Sequence, residues 1–397
     1  MLTNQQITPN NWIAVAKEIL LQNILPFWVN KMPDKENGGF YGQIDGNNQL
    51  YPTANKGAVL NARILWTFAA AYRLLKDPQY LAMAQRAFDY ITAHFIDKKY
   101  GGIYWELDYK GNPVNTKKQL YAQGFALYGF SEFYRATGNK AALELAKQFF
   151  HLIENHCDKE KGGYPEAFTR EWQEIGDMRL SNKDANEKKT MNTHLHILEP
   201  YTNLCRIWDD PQLKAAQRKL IHIFTDKILT PSGHLGLFFD ENWNAKSDGI
   251  SYGHDIEASW LLYEAAEILG DKEALKNITS LALTIVNAAT EGLQPDGSMI
   301  YEIVGGHTDN DRHWWVQAET VLGYSYAYKN SGDAAYRNKA MRCLQYIKDN
   351  LADVEYGEWY WSRKADGSIN RSDDKAGLWK CPYHNSRMCL ELIEHFG

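Results

Sequence analysis

Cysteine is scarce in this 397-residue chain: Cys157, Cys205, Cys343, Cys381 and Cys389 are all there is, widely scattered and with no Cys-x-x-Cys pair. An odd, dispersed set of this kind excludes a disulfide framework and a cysteine-based zinc site, and predicts reduced thiols. No block of lysine or arginine stands out, and the formal net charge is -6. That excludes a basic nucleic-acid surface. Uncharged apolar runs of about 18 residues are missing as well. The first residues, Met1-Leu2-Thr3-Asn4-Gln5-Gln6, lack the basic stretch and apolar core of a secretory leader. These absences lead us to expect a cytoplasmic chain with no membrane or nucleic-acid partner, a monomer or weak homo-oligomer, acting on a small neutral molecule.

Aromatic residues, in contrast, are plentiful at 13%, with 13 Trp and 24 Tyr. Core packing accounts for most of them, but a surplus of flat rings also suits the stacking of sugars. A Gly-aromatic signature returns along the chain as Gly38-Gly39-Phe40-Tyr41, Gly101-Gly102-Ile103-Tyr104-Trp105 and Gly162-Gly163-Tyr164. Weaker versions start at Gly233, Gly297 and Gly357, so the signature recurs roughly every 60 to 70 residues. Most continue into a short alternating segment and a turn, which predicts a small hairpin or loop in each repeat.

Two helical patterns separate successive signatures. One set is predicted near 10–30, 78–95, 138–156, 211–228, 271–290 and 333–350, several of its members opening after Asp-Pro or Gly-Asp/Asn. The other is predicted near 56–76, 116–137, 187–208, 253–269, 311–331 and 375–396. This second set is apolar nearly all round, as in Ala58-Val59-Leu60-Asn61-Ala62-Arg63-Ile64-Leu65-Trp66, whereas the first set carries polar faces. Buried helices inside a ring of amphipathic ones satisfy both patterns. The expected fold is all-α: an (α/α)6 barrel of six helical hairpins with short β-hairpins or loops at one end, forming one domain over 1–397.

The inner helices carry polar residues near their starts. Arg63 is in the first, Tyr121 and Gln123 in the second, and Asn192, His194, His196 and Glu199 in the third. His254 and Glu257 follow in the fourth, His313, Trp314, Trp315 and Glu319 in the fifth, and Trp379, His384 and Asn385 in the sixth. If these helices run in one direction, all six starts line one pocket, with helix dipoles pointing their positive ends into it. Two imidazoles facing each other there could remove and return a proton on opposite faces of one carbon. An arginine would stabilise the oxyanion formed in between.

Four segments carry a specific resemblance: Met191-Asn192-Thr193-His194-Leu195-His196-Ile197-Leu198-Glu199, Ser251-Tyr252-Gly253-His254-Asp255-Ile256-Glu257, His313-Trp314-Trp315-Val316-Gln317-Ala318-Glu319 and Lys380-Cys381-Pro382-Tyr383-His384-Asn385. They are similar, in order and over nearly the whole chain, to the motifs of the cellobiose 2-epimerases of the N-acylglucosamine 2-epimerase superfamily. The resemblance implies C2 epimerisation of the reducing-end glucose of cellobiose, lactose and related β-1,4-linked disaccharides, through ring opening and a cis-enediolate, with no cofactor and no metal. Carried onto this chain, it makes His254 and His384 the acid/base pair, with Arg63 and His196 on the enediolate oxygens and Glu257 orienting His254. Trp315, Glu319 and Trp379 would bind the sugars together with Tyr121, Asn192 and Trp260, and the loop bearing Asp184 would reach the second sugar. The Met-His-x-x-Glu setting of the superfamily favours His196 over His194, which lies about 200° round the helix.

Three other readings remain open at this stage. A monosaccharide 2-epimerase or aldose–ketose isomerase would use similar groups on N-acylglucosamine or mannose. A glycoside hydrolase on the same barrel would need a carboxylate pair, for which Glu257 and Glu319 are available. A sugar-binding protein without catalysis would need neither. Zinc held by His194 and His196 is disfavoured, since an i,i+2 pair on a helix cannot share one metal.

Overall fold

The computed structural model describes Leu2 and residues 5–397; Met1, Thr3 and Asn4, part of the stretch on which the absence of a leader was read, lie outside the described residues. The helices are α1 (Trp12–Lys31), α2 (Ala58–Leu75), α3 (Pro78–Tyr90), α4 (Leu120–Thr137), α5 (Lys140–Asn155), α6 (Met191–Cys205), α7 (Pro211–Ile223), α8 (Tyr252–Leu269), α9 (Lys272–Ala289), α10 (Trp314–Ser331), α11 (Ala334–Tyr346) and α12 (Tyr383–Phe396). The even helices form the inner ring, each packed on the next, with α12 returning to α2. All but the last turn of each is buried on nearly every side, as in Ala58–Ala71 of α2. The odd helices pack outside them, the (α/α)6 barrel expected from the two helical patterns. Single π turns, such as Ile91–Phe95 and Phe224–Ile228, end several outer helices before the chain crosses to the next hairpin.

Each inner helix pairs with the outer helix that follows it, and the last pair is made by the two ends of the chain: α12 takes α1. Trp12 meets Phe396 edge-on at 5.9 Å. Asn23 donates to the Asp353 carbonyl at 2.8 Å, and Trp28 Nε1 to Glu358 at 2.6 Å. The ring is therefore closed by a long-range contact between N- and C-terminal segments. Among the described helices α1 alone is long and apolar enough to cross a membrane, and a little over half of its apolar stretch is buried inside the protein.

What holds the inner helix starts at one height is a chain of strand pairs between consecutive repeats. Lys56–Gly57 pairs with Glu106–Leu107, Lys118–Gln119 with Ala167–Phe168, and Lys189–Thr190 with Phe238–Phe239. Ile250–Ser251 pairs with Glu302–Val304 and Arg312–His313 with Ser362–Arg363; an Ile44 to Ala376 bridge completes the circle. The same contacts satisfy backbone donors that a helix start leaves open. Ala58, Leu120, Met191 and Trp314 each donate their N–H to a carbonyl of the following repeat.

Beneath these pairs lie buried ion pairs that explain the repeated Gly-aromatic signature. Lys56 meets Asp34 at 2.8 Å, Lys118 meets Asp97 at 3.1 Å and Lys189 meets Asp158 at 2.7 Å; Lys375 meets Asp353 in the sixth repeat. Each aspartate also accepts backbone N–H groups of the turn that follows it, as Asp97 does from Lys99 and Tyr100. The turn closes on glycines in the left-handed region. At Gly163, φ is +84°, and a Cβ would stand 2.6 Å from the His194 ring. In the two repeats where the signature is weakest the device changes. His234 bonds Asp255 at 2.7 Å in the fourth; in the fifth, Gln317 brackets both backbone groups of Met299, as Gln123 does those of Ile103 in the second.

The predicted start of the sixth inner helix, near 375, is corrected to Tyr383. Lys375 and Ala376 are engaged with Ile44 instead, and Pro382 biases Cys381 away from helical geometry. Asp97→Ala is expected to lose about 3 kcal/mol in urea unfolding, because it strands the Lys118 ammonium without a counterion. A loss under about 1 kcal/mol would show that the pair contributes little to the closed ring.

Candidate active site

Three imidazoles meet at the end of the ring where the inner helices start. His196 sits in the second turn of α6 and is 2% exposed, and its Nδ1 lies 2.7 Å from Glu199 Oε1 on the same helix face. His384 sits at the start of α12, with Nδ1 2.6 Å from Glu319 Oε1 of α10. His254, in the first turn of α8, has Nδ1 2.8 Å from Ser251 Oγ. None of the three Nε2 atoms has a hydrogen-bond partner among the described residues. A carboxylate at Nδ1 requires the proton on that nitrogen, which leaves Nε2 as the basic lone pair.

The Trp315 ring lies against both His254 (centroids 4.8 Å) and His384 (5.6 Å), which places these two imidazoles at the same end of the barrel. Gly253 makes room for Trp315, since a Cβ there would stand 2.6 Å from the indole. Arg63, on α2, donates to the Tyr121 hydroxyl at 2.8 Å and lies over the Phe125 ring at 4.1 Å. Its Nε is buried without a partner among the described residues, as is Asn192 Oδ1. Tyr121 packs edge-on against His196 at 5.0 Å and near Trp379 at 6.2 Å; Trp379 is half-buried, with Trp105 behind it. Arg63, Tyr121, Asn192, His196, His254, Trp315, Trp379 and His384 are thus gathered at one ring end.

A cavity of about 240 Å³ is lined by Asn192, Ser251 and His254. Its lining also includes Ser181, Asp184, Tyr301 and Glu302. Glu166 forms part of the wall and accepts from Thr190 N–H and from the Thr190 and Thr193 hydroxyls; burial raises its carboxyl to about 8. Burial and Asp309 likewise raise Glu302 to about 7.

Three expectations are corrected. Glu257 does not orient His254: it accepts from Arg387 at 2.6 Å, because a buried carboxyl group is drawn to the nearest cation. Ser251 stands at His254 Nδ1 instead. Glu319 has no surface for a sugar, since it is fully buried between His384, Arg387 and the Trp260 indole N–H, which donates at 2.9 Å. Trp260 is 1% exposed and stacks on Tyr326 at 5.4 Å, and it is not among the residues lining the cavity. His194 is structural: Nδ1 bonds the Thr190 carbonyl at 2.6 Å and Nε2 accepts from Tyr164 N–H at 3.0 Å. Sequence reasoning overlooked Ser251 and Arg387, and gave Glu199 no role. A charged residue three positions after His384 on an otherwise buried helix was the available signal for Arg387.

Burial sets the protonation of the site. It lowers the imidazoles of His196 and His254, and that of His384 further, where the charges of Arg63 and Arg387 act in the same direction. Burial alone would raise Glu199, but Arg387 and His196 hold it at about 2. Burial and the charge of Glu319 raise Glu257 well above the carboxylate range, and Arg387 offsets only part of this. Among the described residues, three triads have ligand atoms mutually within 4.8 Å; one is Asp309–Asp311–His313, and in the other two, His196–Glu199–Glu257 and Glu257–Glu319–His384, the Arg387 guanidinium already bonds the three carboxyl groups. Because a lowered imidazole pKa keeps the neutral form populated to lower pH, NMR titration should give midpoints below about 6.5 for His196, His254 and His384. A midpoint above that value for any of them contradicts the assignment.

Residues 39–387 match the model of the N-acylglucosamine 2-epimerase family. The chain is 57% identical to a cellobiose 2-epimerase of Bacteroides fragilis over 94% of its length and 96% of that protein's. It is 40% identical to one of Ruminococcus albus, covering 96% and 98% of the two chains. The solved structure of a cellobiose 2-epimerase from Bacillus thermoamylovorans superposes with a TM-score of 0.93 at 42% identity, covering 97% and 99% of the two chains. With motifs in order, barrel and histidine cluster in agreement, the chain belongs to the N-acylglucosamine 2-epimerase family.

Proposed function

We propose that this protein is a cellobiose 2-epimerase, inverting C2 of the reducing-end glucose of β-1,4-linked disaccharides: cellobiose to glucosyl-mannose, and lactose to epilactose. The observation that carries this reading is the set of imidazoles whose Nδ1 atoms are anchored and whose Nε2 atoms are free, two of them against one tryptophan.

After the sugar ring opens, one of His254 and His384 takes the C2 proton through Nε2. The C1 carbonyl delocalises the electron pair and a cis-enediolate forms. Rotation about the C2–C3 bond presents the opposite face to the other imidazole, which takes up a proton from solvent at Nε2 and delivers it to C2, while the first imidazole releases the abstracted proton to solvent. Arg63 and His196 hold O1 and O2, where charge develops; the fixed Tyr121 and Phe125 contacts keep the guanidinium in place, so that it acts without reorganising. Trp315 and Trp379 offer flat surfaces to the sugars. The cavity from His254 to Asp184 gives the second sugar a place beyond the reacting one, which supports a disaccharide over a monosaccharide substrate. The hydrolase reading loses its carboxylate pair, because Glu257 and Glu319 share one guanidinium. No step calls on a metal or cofactor, and the family membership is consistent with a soluble, cytoplasmic enzyme.

Cellobiose incubated with the protein in D2O should give glucosyl-mannose carrying deuterium at C2 in both epimers, read by NMR. Free glucose would indicate hydrolysis, and epimerisation with retention of the C2 proton would rule out exchange through two solvent-linked bases. Arg63→Ala should lower kcat by at least about 10²-fold with a smaller change in KM, because the enediolate carries more charge on oxygen than the ground state. A rise in KM alone would make Arg63 a ground-state binding residue.

A further inference from the structure

At the bottom of the site a single guanidinium ties the histidines together. Arg387 lies on α12 one turn after His384 and has no exposed surface. Nη1 donates to Glu199 Oε2 at 2.5 Å and to the Tyr383 hydroxyl; Nη2 donates to Glu257 Oε1 at 2.6 Å and Glu319 Oε1 at 2.7 Å. The three carboxyl groups come from α6, α8 and α10, so one side chain of the sixth inner helix bonds the third, fourth and fifth. Trp260 and Tyr383 lie over the guanidinium at 4.7 and 4.4 Å and fix its plane. Arg387 has no hydrogen bond to an imidazole. It contacts the groups that do: Glu199, which holds His196 Nδ1, and Glu319, which holds His384 Nδ1.

We propose that Arg387 is the positioning residue of the site, fixing Glu199 and Glu319 as the acceptors for Nδ1–H of His196 and His384 so that both imidazoles present Nε2 to the substrate. The proposal rests on the epimerase reading for its kinetic consequences, but its structural content stands apart from it. One positive charge faces three carboxyl groups in a dry interior, where isolated ions are costly. Glu257 is the group that yields: burial and Glu319 raise it, and its Oε2 has no partner among the described residues. Glu199 and Glu319 each serve one histidine, His196 and His384 respectively. A planar, five-donor guanidinium can make these bonds at once, whereas an ammonium on a flexible stem cannot hold the same fork.

Besides Arg387, the charged and titratable groups facing His384 are Arg63 from α2, His196 and Glu199 from α6, Glu257 from α8 and Glu319 from α10. His196 faces Glu199, Arg63 and Arg387. Loss of the Arg387 charge therefore raises both imidazoles. In a pH–kcat profile the acid limb, where the base becomes protonated, moves to higher pH.

The test uses the full chain with 15N-labelled histidine, as wild type, R387M and R387K, with signals assigned through single His→Gln variants. In the wild type at pH 7.5, His196 and His384 should both show a protonated Nδ1 and an unprotonated Nε2. Folded R387M should lose about 10²-fold or more in kcat with little change in KM, lose the single tautomer, and show a raised acid limb. R387K should keep the acid limb near its wild-type position and still lose kcat at least about tenfold, since it retains charge without the fork. An Nε2-protonated tautomer at either histidine in the wild type overturns the proposal whether or not R387M folds. So does R387K with wild-type kcat, or folded R387M with unchanged tautomers and limb. A wild type that does not epimerise cellobiose or lactose defeats the functional reading instead, while the wild-type spectra still decide the role of Arg387.

Discussion

The guanidinium of Arg387 sits where three inner helices would otherwise bring three buried carboxyl groups together. Without a cation at that point Glu199, Glu257 and Glu319 would all face desolvation and mutual repulsion. The local solution is unequal: Glu199 is held far down by Arg387 and His196, while Glu257 is pushed up. The arrangement leaves a carboxyl acceptor beside each of His196 and His384. His254 differs, with a serine hydroxyl in place of a carboxylate, so the two proposed bases work in different settings.

Height along the barrel axis is set elsewhere. Strand pairs between neighbouring repeats, each backed by a buried lysine–aspartate pair or its substitute, stop the inner helices from sliding past one another. The site depends on this because its residues come from all six inner helices, and a shift by one residue on any of them would turn a side chain about 100° away. The closing contact between α1 and α12 belongs to the same system, since α12 carries both His384 and Arg387.

Much of the ring was legible because its repeat has a physical cause: a left-handed glycine turn folding around an aspartate leaves a mark in sequence every 60 residues or so. The inner and outer helices were legible from their polarity. Pairing was not, since α1 joins a helix more than 350 residues away, a contact that local patterns do not encode. For the site, helical periodicity correctly put Arg63, His196, His254 and His384 at helix starts. It failed on partners: a spacing of three says that His254 and Glu257 share a face, but Arg387 from another helix takes the carboxyl group. Depth was equally invisible, so Trp260 and Glu319 read as sugar ligands although both are buried and bonded to each other.

The proposed mechanism requires His254 and His384 to address opposite faces of one carbon. It is tested most directly by following C2 proton exchange in D2O separately for cellobiose and for glucosyl-mannose with His254→Ala and His384→Ala. With either base missing, epimerisation should stop while the remaining imidazole still exchanges the C2 proton of the epimer it faces. The account predicts that the two variants exchange opposite epimers. Exchange of the same epimer by both, or continued epimerisation by either, would contradict it.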